Sequence, residues 1–201
     1  LEDAAGNTLV EAPGGSFTVD STVPQITNVA TSSKKYSARA NYNTVTLTFD
    51  STEDVGAGLK AKVGDQDMLC GAWQATSPSH TCTYAVQGNE GAGFKDISIA
   101  ATDAAGNNGF GSASVELDFT GPEVTLSVQP AGRPARLGET ATVSVTVNEP
   151  VGAAGLQLDS GGLTLGQPSV SGTTYTWTYA VKQGDLGAYA LSATCLDAAG
   201  N

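Results

Sequence analysis

The chain has 201 residues, of which 40% are hydrophobic and only 14% charged, and 20 acids against nine bases give a net charge of −11. That apolar content is enough for a packed core and argues against disorder. The acidic surplus leaves no basic patch for nucleic acid or an anionic membrane, and no apolar run reaches the roughly 18 residues of a spanning helix, so no membrane insertion is expected in this segment.

Residues 3–7 read DAAGN, and the same five residues return at 103–107 and 197–201. Between the first copy and Pro24, Gly15–Asp20 read as a short strand. VTLTF at 45–49 sets Val45, Leu47 and Phe49 in alternation with threonines, the period-two pattern of a half-buried strand. Cys70 and Cys82 flank a turn-rich stretch, GAWQATSPSHT. We read them as a disulfide worth about 3 kcal/mol for so short a loop; two reduced core thiols are the alternative. His80, next to Cys82, reads as a solvated loop side chain. Ile97, Ile99 and Ala101 share one strand face, and so do Val115, Leu117 and Phe119, with a strand expected over 112–119.

From residue 120 the pattern starts again. TGPEVT at 120–125 matches TVPQIT at 22–27, and VSVTV at 143–147 matches VTLTF, both at an offset of 98. Glu149 and Val151 match Glu53 and Val55 at 96, and TWTYAV at 176–181 matches TCTYAV at 81–86 at 95. A slowly drifting offset is what loop deletions between aligned strands leave in a tandem duplication. Trp177 therefore takes the core position of Cys82, and Cys195 that of Ala101, where a buried free thiol is expected. Short alternating strands separated by Gly, Pro and Ser, with no helical stripe, predict an all-β fold. We expect two tandem immunoglobulin-like antiparallel β-sandwiches. Residues 1–20 would be the trailing strand of a preceding repeat, 21–118 the first repeat and 119–201 the second, which lacks its last strand within this chain.

DAAGN followed by FTVDSTVP resembles the bacterial Ig-like repeats of large surface or secreted adhesins. The most specific parts are Asp103–Asn107 with Leu117–Pro122 and Asp3–Asn7 with Val19–Pro24. That resemblance covers essentially the whole chain. It implies a stalk or fibre at the bacterial cell surface or in the extracellular space, with calcium stiffening the repeat junctions. The usual acid-rich calcium loops differ here, because alanines stand at 104, 105, 198 and 199.

A cation site can also be argued from topology. In an immunoglobulin sandwich the chain entry, the B–C loop and the F–G loop lie at one pole. Asp20, Glu53 and Asp103 fall in those three places, and Asp118, Glu149 and Asp197 repeat the set. Asn107 and Asn201 could each add an oxygen. Calcium takes six to eight oxygens, so three carboxylates with carbonyls and water would serve. The alternative is turn chemistry alone, with Asp and Asn bonding their own backbone and Gly106 and Gly200 supplying positive φ.

No catalytic constellation appears. Asp159-Ser160-Gly161-Gly162 is a hairpin turn by our reading, because a serine nucleophile needs a positioned histidine base and His80 lies in the other repeat. The chain is expected not to be an enzyme. Its expected partners are neighbouring Ig-like repeats, in the same chain or in another copy by strand addition, and a host or environmental glycan or protein. The missing last strand lies either beyond Asn201 or in another molecule. A glycan-binding or accessory module of a secreted enzyme is the alternative function, with Trp73 as an exposed platform or, instead, as packing for the disulfide.

Overall fold

The computed structural model describes residues 2, 4–8, 14–72, 79–152 and 155–201; Asp3 and Trp73 lie outside them. The first half holds β1 (Ile26–Thr31), β2 (Lys35–Tyr36), β3 (Thr44–Ser51), β4 (Lys60–Val63), β5 (Gln66–Asp67), β6 (Leu69–Cys70), β7 (Ser79–Ala85), β8 (Gly93–Thr102) and β9 (Asn108–Leu117). The second half holds β10 (Val124–Gln129), β11 (Thr140–Val147), β12 (Leu156–Asp159), β13 (Ser169–Ser171), β14 (Thr174–Ala180) and β15 (Ser192–Cys195). Among the described residues the protein is all-β apart from one short 3-10 turn at Gly56–Gly58. No helix among the described residues is long and apolar enough to cross a membrane.

Among the described residues four sheets form, in the orders β1-β3-β7-β6, β2-β9-β8-β4-β5, β10-β11-β14-β13 and β12-β15. Their pairings are antiparallel except that of β2 with β9. The alternation seen in the sequence sets the core. Val45, Leu47 and Phe49 point inward from β3 and meet Ile97 and Ile99 of β8 and Val115 and Leu117 of β9. In the second half Val143, Val145 and Trp177 form the buried centre, packed by Leu156 and Leu158 of β12 and Ala193 of β15.

The register corrects the sequence match by two residues: Leu47 lies opposite Cys82, but Trp177 lies opposite Val143, not opposite Val145, which the offset of 98 pairs with Leu47. One half fills the matched core position with sulfur and the other with an indole. Tyr84 Oη donates to Glu90 Oε1 over 2.6 Å, and Tyr179 Oη donates to Asp185 Oδ2 over 2.8 Å, a matched pair of loop anchors. Cys70 and Cys82 are bonded, directly opposite each other on β6 and β7.

Several expectations change. The strand expected over 112–119 is β9, which starts at Asn108 and ends at Leu117. Gly15–Asp20, expected as a strand, lies in no strand. His80 is not solvated: β7 begins at Ser79, so His80 faces inward opposite Phe49 and stacks on its ring at 5.1 Å. Only 3% of it is exposed, its Nε2 has no hydrogen-bond partner, and burial pushes its pKa down. Cys195 is half-buried, whereas Ala101 is fully buried beneath the longer β8–β9 pair.

Candidate metal centre

The loop after β3 carries Glu53, the loop between β8 and β9 carries Asp103, and the segment entering β1 carries Asp20. Antiparallel packing brings these three to one end of the first half, with a carboxylate oxygen of each within 4.8 Å of the others. Asp118, Glu149 and Asp197 make the same cluster in the second half. All six predicted carboxylates are thus assembled as two triads.

Both aspartate loops are built alike. Asp103 Oδ1 accepts the N–H groups of Ala105 and Asn107, and Asn107 Nδ2 donates to Asp103 Oδ2 over 2.9 Å. Gly106 turns the chain at φ +94°, a conformation that costs a residue with a Cβ. Asn201 repeats the pattern on Asp197, its N–H reaching Oδ1 at 2.9 Å and its Nδ2 reaching Oδ2 at 3.1 Å, with Gly200 at φ +83°. The asparagine side chains also clamp the entry segments: Asn107 Nδ2 donates to the Asp20 carbonyl and Asn201 Nδ2 to the Asp118 carbonyl. Turn chemistry and carboxylate convergence therefore coexist. Here the two asparagines brace the acids, spending their amide N–H groups on them.

The glutamates are the stressed members. Glu53 Oε1 is sealed from solvent and has no hydrogen-bond partner. Burial, then the charges of Asp103 and Asp20, push the Glu53 carboxyl up. Glu149 is pushed up by burial and by Asp197 and Asp118, with Lys35 partly offsetting this. Asp103 moves down instead, chiefly through the Asn107 amide. An ionised glutamate with no donor, facing two more carboxylates, is a donor set for a hard cation. The residues present fit calcium.

Two features were not apparent from the sequence. The first is close loop approach at glycine: a Cβ on Gly58 would lie 2.2 Å from the Thr102 carbonyl oxygen, and one on Gly152 would lie 2.1 Å from that of Asp197. These glycines let the glutamate loops lie against the ends of the aspartate-bearing strands. The second is a socket. Ser37 Oγ donates to the Ala199 carbonyl over 2.7 Å and Arg39 Nη1 to the Gly200 carbonyl over 2.8 Å, while the Tyr42 ring covers Gly200. Loop 197–201 is therefore plugged into the first half, and the second triad sits at that joint. Lys35 stands beside it, 3.6 Å from Asp118 and 3.2 Å from Glu116.

No protein-family model matches the chain, and no curated protein is similar to it. Among solved structures it is similar to a Ca2+-stabilized adhesin that helps an Antarctic bacterium reach out and bind ice, at 18% identity and a TM-score of 0.45. That likeness covers 89% of this chain, which spans about half of the other, 46%.

Proposed function

We propose that the chain is a structural segment of a bacterial adhesin, carried outside the cell, in which two tandem Ig-like sandwiches form part of a stalk. Residues 21–118 make one repeat and 119–201 the next, with 1–20 entering from the segment before. A calcium ion held by Asp118, Glu149 and Asp197 would tie the entry segment to both loops at the joint, and one held by Asp20, Glu53 and Asp103 would do the same at the far end of the first repeat. The observation that carries this reading is the second triad itself: its Asp197 belongs to the loop that is plugged into the neighbouring half.

No catalytic role is assigned. Ser160 donates its hydroxyl to the Leu163 carbonyl within its own turn, and His80 is stacked in the other core.

Calcium titration against EDTA tests the proposal. At a concentration about 100 times its Kd, one bound ion should add about 2.7 kcal/mol to unfolding. The melting temperature should rise by several degrees, and small-angle scattering should show a narrower range of overall lengths. Glu149→Gln should remove the part of the response that belongs to the joint, while making the metal-free chain no less stable because one of three mutually repelling carboxylates is gone. A melting temperature and scattering profile indifferent to calcium would overturn the stiffening role.

A further inference from the structure

Lys35 is fixed beside the second triad by main-chain bonds. It lies on β2, whose parallel pairing with β9 sets Lys35 against Glu116 and Tyr36 against Leu117. The Glu116 N–H donates to the Lys34 carbonyl over 2.8 Å, and the Asp118 N–H to the Tyr36 carbonyl over 2.9 Å. The strand that carries the lysine is thereby laced to the segment that carries Asp118 out of the first half. From there the ammonium lies 3.2 Å from Glu116 Oε1 and 3.6 Å from Asp118 Oδ2. Asp118 is one of the three carboxylates that converge at the joint, so that cluster already has a positive charge seated against it. Arg39, also at the joint, spends its guanidinium on the Gly200 carbonyl and so grips loop backbone. Lys35 faces the acids. Burial, Asp197 and Asp118 push the Glu149 carboxyl up, and the charge of Lys35 opposes them.

An ammonium and a calcium ion draw on the same oxygens in different ways. Lysine brings one charge, as a compact head on a flexible four-carbon stem. Calcium brings two and collects six to eight oxygens. At 3.6 Å the contact with Asp118 is longer than a hydrogen bond, and a half-exposed ion pair of this kind is a weak hold. The Glu116 contact is shorter. The stem can therefore give up Asp118 and keep Glu116, without moving β2.

We infer that Lys35 is the resident cation of the joint and the competitor of calcium there. Its ammonium draws Asp118 toward β2 in the metal-free chain, and it gives up Asp118 Oδ2 to the metal by resting on Glu116 alone. The competition rests on the calcium reading above; the hold on Asp118 does not. Two consequences follow from charge. The lysine keeps the joint partly engaged without metal, and it raises the calcium concentration at which the joint loads. A unit charge a few ångströms from a divalent ion, in a water-like dielectric, changes its affinity about tenfold.

Calorimetric titration with calcium at fixed ionic strength tests this in a Glu53→Gln chain, where the first triad is disabled and the joint is left to report. Adding Lys35→Met, which keeps the stem and removes the charge, should tighten binding about tenfold. Lys35→Arg, which keeps the charge, should leave it near that of the parent. Amide exchange in EDTA gives the second readout. Residues 37–43 and 197–201 should exchange faster in Lys35→Met than in the parent or in Lys35→Arg, and calcium should slow them again. Equal or weaker calcium binding by Lys35→Met overturns the competition. Unchanged exchange in EDTA overturns the hold on Asp118, and so does a quickening spread evenly over β3 and β7, which would mark general destabilisation. Calcium uptake by none of these chains overturns the calcium reading and the competition with it, and the hold on Asp118 is then decided by exchange in EDTA alone.

Discussion

The joint can be tested by a pair of matched substitutions, Gly200→Ala and Gly106→Ala. The two glycines hold the same place in the same pentapeptide and have similar φ, +83° and +94°. Alanine in the left-handed region costs about 1–2 kcal/mol in either case. Their surroundings differ. A Cβ on Gly106 meets nothing within 4 Å, but a Cβ on Gly200 would lie 2.3–2.5 Å from three atoms of the Tyr42 ring. The ring must swing away or the loop must withdraw from its socket. Withdrawal would strain the Ser37 bond, worth about 1 kcal/mol, and the Arg39 bond, worth about 1.5–3 kcal/mol as a charged donor. Partial loss of both gives about 2–3 kcal/mol beyond the shared backbone cost. We expect Gly106→Ala to lower stability by about 1–2 kcal/mol and Gly200→Ala by about 3–5 kcal/mol. Urea unfolding in EDTA measures both, and amide exchange at residues 37–43 should quicken only in the Gly200 variant. Equal destabilisation by the two substitutions would refute the plug-and-socket joint.

Two further outcomes follow from local chemistry. Arg133 and the Arg136 N–H hold the Glu139 carboxyl down at about 2. A depressed folded pKa stabilises above the unfolded value of 4.5, and that stability drains as pH falls through about 2; Glu139→Gln should flatten the acid limb of a thermal-melt profile in that window, and an unchanged limb would contradict the pairing. Reduction of Cys70–Cys82 should cost about 3 kcal/mol in urea unfolding with and without dithiothreitol, and a mass that does not change on reduction would deny the bond.

Much of this was legible in one dimension. Alternation in VTLTF and VSVTV predicts β3 and β11 and the inward sets Val45–Leu47–Phe49 and Val143–Val145–Val147, all now buried. The drifting offset places Trp177 where Cys82 stands, and both are buried, but the strand across from them is shifted by two residues from the sequence match. The six carboxylates were found the same way, because loop order around an antiparallel sandwich determines which loops share an end. His80 was misplaced because Ser-Pro-Ser reads as loop, and only the β3–β7 register shows that it falls opposite Phe49.

Periodicity records which face of a strand is buried, and repetition records which loops are equivalent; both are local properties of the chain, so the amino-acid order alone determines them. The socket of Ser37, Arg39 and Tyr42 lies some 160 residues from the loop it grips. Gly58 and Gly152 matter because of backbone from another strand, and the solvent-sealed oxygen of Glu53 because of what closes over it. Those facts depend on how sheets and loops meet in space. Tertiary packing alone decides them, because close approach, desolvation and unmet hydrogen bonds belong to pairs of surfaces and not to either sequence segment.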